Sequence, residues 1–140
     1  MSLTDKQIMG KKARVSGGIF ERKVRSDMED KGWIITKWQN QVDLKNNKII
    51  PAPHKYNFFK KSIIPGQGFP DFVCFKHNGD FWEVIGVESK APKYLDKEER
   101  EKAEWLINNK IFDKILVGYK NKKNKRLEYY EFGKKDKKRK

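Results

Sequence analysis

The sequence predicts an α/β fold in the order α, β, β, β, α, β, β. Three observations carry this expectation. An apolar stripe at helical spacing, Phe20, Val24 and Met28, runs into Gly32. Two strand-like runs, Phe69 to Lys76 and Phe81 to Lys90, flank Asn78-Gly79, a strong hairpin signal. A capped helical pattern from about Tyr94 to Lys110 then leads into a further apolar run. With 140 residues, the span 1–140 is expected to form a single domain.

The first helix is expected from about Ile19 to Lys31, led in by Ser16-Gly17-Gly18 and stopped by Gly32. On its helical wheel Phe20, Val24, Asp27, Met28 and Lys31 share one side, and Glu21 falls on the rim. Trp33 to Trp38 reads as a strand because it is aromatic and β-branched and follows a glycine stop. Residues 39–68 hold Pro51, Pro53, Pro65, Gly66 and Gly68 and are expected to be a loop insertion. Within it, His54-Lys55-Tyr56-Asn57-Phe58-Phe59-Lys60-Lys61 alternates aromatics with bases. That composition suits stacking on bases while pairing with phosphates, and it equally suits anchoring a long loop to the core. In the second helix Asp96 is the expected cap, Glu99 follows three residues on, and Ala103, Leu106 and Ile107 face inward. Ile111 to Tyr119 and Leu127 to Phe132 are two more strands, joined by the basic loop Lys120 to Arg126. Trp33, Trp38, Trp82 and Trp105 are expected in or at the edge of the core, and Cys74 inside it.

Charge narrows the partners. The chain has 33 Lys and Arg against 19 Asp and Glu, a formal +14, and that excess favours a polyanion. Charged surfaces produced by thermal adaptation account for many charges but not for the imbalance. Lys120 to Lys140 alone has 11 Lys and Arg against three acids, a net +8, and this segment, which ends in the basic tail at 134–140, is expected to grip the DNA backbone. The expected contacts are Lys55, Tyr56, Lys60 and Lys61 in the insertion and Lys122, Lys123, Lys125 and Arg126 in the basic loop. DNA is the expected partner, with RNA open because stacking and phosphate contacts serve both. A lone cysteine forms no internal disulfide, which argues for a reducing compartment. With no apolar leader and only short apolar runs, the expectation is a soluble, cytoplasmic protein with no membrane partner.

One constellation carries chemistry. If Asn78-Gly79 form the centre of the turn, His77 pairs with Asp80 and Asp71 lies opposite Gly86. Alternation then puts Gly86, Glu88 and Lys90 on one face, with Asp71 diagonal to Glu88 and Gly86 leaving space between them. Two carboxylates offer hard oxygen ligands to a cation such as magnesium, and the lysine can orient or deprotonate water, the more so if burial lowers its pKa. Glu21 could complete the metal site. A solvated surface pair is the alternative, but charges appended to the apolar run Val84-Ile85-Gly86-Val87 are costly without a role.

Gly68-Phe69-Pro70-Asp71, followed after the hairpin by Glu88-Ser89-Lys90, resembles the PD-(D/E)xK motif of the restriction-endonuclease-like nuclease superfamily. Gly18-Ile19-Phe20-Glu21, opening a helix that ends in Gly32-Trp33, is similar to the helix supplying the N-terminal acid in archaeal Holliday junction resolvases and related phage and viral nucleases. The likeness spans about residues 16 to 120. It implies a restriction-endonuclease-like mixed central β-sheet flanked by helices, order αβββαβ, with one further C-terminal strand. It also implies a magnesium-dependent (Mg2+, with Mn2+ able to substitute) DNA nuclease, a structure-selective endonuclease or junction resolvase being the narrower form. By the same resemblance Asp71 and Glu88 bind the metal, the Ser89 carbonyl adds a ligand, Glu21 assists, and Lys90 positions the attacking water. Several members of that superfamily carry a glutamine on the following helix, near where Glu99 stands here, and this chain departs from that pattern. Resolvases act as symmetric dimers, so a homodimer is compatible with this picture. The competing expectation is a non-catalytic nucleic-acid-binding protein.

Overall fold

The computed structural model describes residues 5–64, 66–90 and 93–134, with side chains from Gly18 onward apart from Ile64. It is a mixed α/β structure built on a five-stranded sheet. The elements are α1 (Asp5–Asp30), β1 (Ile34–Lys37), β2 (Asn40–Asp43), β3 (Lys48–Pro51), β4 (Lys55–Asn57), β5 (Ser62–Ile64), β6 (Phe72–Asn78), β7 (Phe81–Ser89), α2 (Lys97–Asn108), β8 (Lys114–Lys120) and β9 (Leu127–Glu131). The sheet runs β1-β6-β7-β8-β9. Only β7 and β8 are parallel, joined by the α2 crossover that parallel neighbours require.

Each face of the sheet is covered by one helix. Val24 and Met28 of α1 pack with Ile35, Phe72, Cys74, Ile85 and Val87. Ala103 and Leu106 of α2 pack on the other face with Val42, Phe69, Leu95, Phe112, Ile115 and Val117. Alternation along β7 sends Ile85 and Val87 to α1 and leaves Gly86 and Glu88 toward α2. The Tyr129 hydroxyl donates to Asp27 at 2.8 Å, tying α1 to the sheet edge. Cys74 is fully buried, and that burial pushes its thiol up to about 12, so it is inert core. Among the described residues no helix is long and apolar enough to cross a membrane.

Three local expectations are corrected. The first helix starts at Asp5 and passes through Gly17-Gly18, where the sequence reading placed its lead-in. Each interior glycine costs about 1 kcal/mol, but the upstream Lys, Gln, Met, Ala and Arg are strong helix formers and outweigh the pair. The 39–68 insertion is not a loop but two hairpins, β2–β3 and β4–β5. Both turns are built by side chains: Asp43 accepts from the Asn46 amide at 3.1 Å, and Asn57 accepts from the Phe59 and Lys60 amides at 2.9 and 3.1 Å. The β2–β3 hairpin docks on α2 through buried Val42, through the Lys102 ammonium on the Gln41 amide oxygen and through Trp105 Nε1 on the Asn47 side chain.

The third correction is the register of the β6–β7 hairpin. Asn78 pairs with Phe81, so Gly79 and Asp80 are the central turn residues, one position later than expected. Gly79 has a φ of 65° and Asp80 is not in the left-handed region, which is the arrangement of a turn with glycine at its first central position. Phe72 therefore faces Val87, and Asp71 comes directly across from Glu88 instead of lying diagonal to it.

Candidate active site

Asp71 directly precedes β6 and Glu88 lies at the second-last position of β7. Their junction is tightly bonded. The Asp71 amide donates to Glu88 Oε1 at 3.0 Å, while Asp71 Oδ2 accepts from the Ser89 amide at 2.9 Å and from its hydroxyl at 2.6 Å. The Asp71 carbonyl accepts from the Trp38 amide at 3.0 Å, anchoring this strand end to the end of β1. Glu88 is only 6% exposed, the single charged residue in the core among those described, which rules out the solvated surface pair for this residue.

Burial, then the charge and hydrogen bond of Asp71, then Glu99 hold the Glu88 carboxyl far above the carboxylate range, at about 10. Glu88 therefore keeps a proton at neutral pH unless a cation takes its place. Two carboxylates pressed together in a low-dielectric pocket are what a divalent cation relieves.

Lys90 follows on the same face. Its amide donates to the Gly118 carbonyl at 2.8 Å, fixing the chain as it leaves β7. Its ammonium donates to both oxygens of Glu99 at 2.8 and 2.9 Å. Burial acts to lower the Lys90 pKa, but the hydrogen bonds and charge of Glu99, with Glu88 and Asp96 behind it, outweigh burial and raise it. The condition that would favour Lys90 as a base, a pKa lowered by burial, is not met, which leaves it the orienting role of a fixed cation and donor.

Glu99 is the residue that sequence reasoning undervalued. Its amide donates to Asp96 Oδ1 at 2.8 Å and its own Oε1 accepts from the Asp96 amide at 2.9 Å, the reciprocal cap that starts α2. One carboxylate therefore fixes both the helix start and the lysine. The capping pair was visible in the sequence; its hold on Lys90 required α2 to be placed over the strand end. Ser89 likewise contributes a hydroxyl to Asp71, where only its carbonyl had been expected to matter.

Glu21 on α1 accepts an ion pair from Lys37 at 3.3 Å. Lys37 pairs with Phe72 in the sheet, so Glu21 is tethered near the Asp71 end of β6. Among the described residues no three His, Cys, Asp or Glu side chains gather into a metal-holding group, so Glu21 is not drawn in as a third acid.

Gly86 does not leave open space. A Cβ there would lie 2.7 Å from the Pro70 ring and 3.2 Å from Phe112. Gly86→Ala should therefore push Pro70, and with it Asp71, and cost about 1–3 kcal/mol in urea unfolding. An unchanged midpoint would show that Pro70 yields freely.

The expected nucleic-acid contacts are all at the surface. Lys55, Tyr56, Lys60 and Lys61 are exposed on the β4–β5 hairpin, and Lys122, Lys123, Lys125 and Arg126 on the β8–β9 turn. The Asn121 side chain accepts from the Lys123 and Asn124 amides and shapes that turn. Of the 134–140 tail, Lys134 pairs with Glu131 at 3.5 Å and the rest lies outside the described residues. Trp33, Trp38 and Trp105 are partly buried as expected, whereas Trp82 is 54% exposed at the β6–β7 tip, edge-on to Phe75 and His77. Neither a family model nor a curated protein matches this chain.

Proposed function

We propose that the protein is a magnesium-dependent DNA nuclease of the restriction-endonuclease-like PD-(D/E)xK superfamily. The observation that carries this reading is the direct opposition of Asp71 and Glu88 at the end of β6 and β7, with Lys90 on the same face. The order α1, β1, β6, β7, α2, β8, β9 around one sheet, with the β2–β5 hairpins inserted, supports the restriction-endonuclease-like arrangement.

The donor set fits the metal. Asp71, Glu88 and the Ser89 carbonyl are hard oxygen donors, and magnesium commonly keeps several waters beside one or two carboxylates. When bound, the cation supplies charge neutralisation at the phosphate. Ser89 orients the Asp71 carboxylate through its amide and hydroxyl. Lys90, positioned by Glu99, donates a hydrogen bond to the attacking water and adds positive charge where the phosphate gains negative charge. Glu21 is held by Lys37 near the same strand ends but outside the two-carboxylate set, and an assisting role for it rests on the resemblance alone.

The hydroxyl of water bonds to phosphorus as the bond to one ester oxygen breaks, and the departing oxygen takes up the remaining proton of water; resemblance to the superfamily assigns the phosphate to the 5′ end, so the 3′ oxygen departs. A structure-selective endonuclease or junction resolvase is the narrower form. Supercoiled plasmid should be nicked or linearised with magnesium and untouched in chelator. Retarded but intact plasmid under both conditions would favour the non-catalytic DNA-binding reading instead.

A further inference from the structure

The β4–β5 hairpin stands apart from the candidate active site and from both core clusters. From Pro53 to Ile63 every residue is exposed except Asn57, which is half-buried. Phe58 is 80% exposed and Phe59 100%. Singly exposed apolar residues are ordinary, whereas adjacent large ones ringed by charge mark an interaction surface. Tyr56 and Ile63 pair across the two strands and extend this apolar face down the stem.

The tip is built to hold its shape. Asn57 closes the hairpin against Ser62, its side chain accepts from two loop amides, and Lys61 makes the return with a φ of 48°. The Tyr56 ring meets Phe58 edge-on with centroids 4.9 Å apart, which braces Phe58 and leaves Phe59 leading. The base is fixed too. A Cβ on Gly66 would collide with the Pro53 carbonyl and one on Gly68 with the Trp38 carbonyl, so the returning chain lies tight against its neighbours before reaching Pro70-Asp71.

Charge selects the occupant. Between Asp43 and Asp71 the sequence contains no acid and five lysines, Lys45, Lys48, Lys55, Lys60 and Lys61. Lysines beside flat apolar rings match phosphates beside base faces. In a fully paired duplex those faces are covered by neighbouring base pairs, and a ring enters only by unstacking a step. At a fork, gap or junction the faces are already open.

We propose that the β4–β5 hairpin is a wedge that recognises DNA with unpaired or unstacked bases. Phe58 and Phe59 stack on the opened faces while Lys55, Lys60 and Lys61 hold the flanking phosphates. The wedge names a substrate class for the nuclease reading and rests on it only for cleavage; recognition is measurable without cleavage.

The test uses the full chain in chelator, with fluorescence anisotropy on a forked DNA and a fully paired duplex of the same sequence, and 2-aminopurine at the fork. The wild type should prefer the fork and alter the 2-aminopurine signal. The double variant Phe58→Ala/Phe59→Ala, changed only at exposed positions, should lose about 10- to 100-fold in fork affinity and stay within about twofold on the duplex. Equal loss on both DNAs, or no loss on the fork, overturns the wedge. So does binding to anionic phosphatidylglycerol vesicles that needs the two phenylalanines while fork binding does not. Fork selectivity that depends on the Phe pair, in a protein that leaves both plasmid and the forked DNA uncut with magnesium, would retain the wedge and discard the nuclease.

Discussion

Asp71→Asn, Glu88→Gln and Lys90→Ala should each reduce plasmid cleavage by about 100-fold or more while leaving the fold intact. The three failures should differ in kind. Loss of a carboxylate at position 71 or 88 removes an oxygen donor, so calorimetric magnesium binding should weaken in step with activity. Lys90 is engaged with Glu99 and holds no metal, so its alanine variant should bind magnesium normally and still fail to turn over. DNA affinity in chelator should survive in the carboxylate variants: Asp71→Asn removes an acid beside the phosphate and relieves repulsion, and Glu88→Gln replaces a carboxyl that is already neutral without a cation. Glu99→Gln is the finer probe. The amide keeps one acceptor oxygen but loses the charge that raises the Lys90 pKa, so an intermediate loss with an altered pH profile is expected. Full activity in both Glu88→Gln and Lys90→Ala would end the nuclease reading.

Where the fold was legible in the sequence, local chemistry was decisive. The Asp96 and Glu99 cap, the apolar run entering Glu88 and the stripe ending at Gly32 each obey a rule acting within a few residues. Legibility failed where short strands escape periodicity. The strands β2 to β5 have three or four residues each, too few to show alternation, and Pro51 sits at a strand end where a missing N–H costs little. The hairpin register slipped by one turn position because Gly79 can occupy either central site of a tight turn. Moving both partners together preserved the faces, so Asp71, Glu88 and Lys90 stayed on one side.

The site divides along the same line. Acid, acid and lysine follow from strand alternation, which the sequence encodes directly. The clamp on Lys90 depends on where α2 lands, and the depth of Glu88 depends on β8 pairing beside it, Glu88 with Val117. Those are long-range packing outcomes, and neither has a local signature.

The buried carboxyl makes stability itself depend on pH. In the unfolded chain Glu88 ionises near 4.5, whereas in the folded chain burial and Asp71 hold it protonated to about 10. Below about pH 4.5 both states carry the proton and the folded state keeps the full benefit of this group. As pH rises the unfolded state alone releases it, so stability falls by up to about 1.4 kcal/mol per unit until the folded carboxyl also ionises. At pH 7 the accumulated loss is roughly 3 kcal/mol, and Glu88→Gln, which carries no proton to lose, should unfold about 10 °C higher than the wild type in chelator. At pH 4 the two should unfold together. Magnesium should close the gap from the other side by displacing the proton from wild-type Glu88, with close to one proton released per cation in calorimetry across buffers of different ionisation enthalpy. A difference in unfolding temperature that stays constant between pH 4 and pH 9 would mean that Glu88 is ionised in the folded protein without a cation, and the cation would then lose its strongest reason to be there.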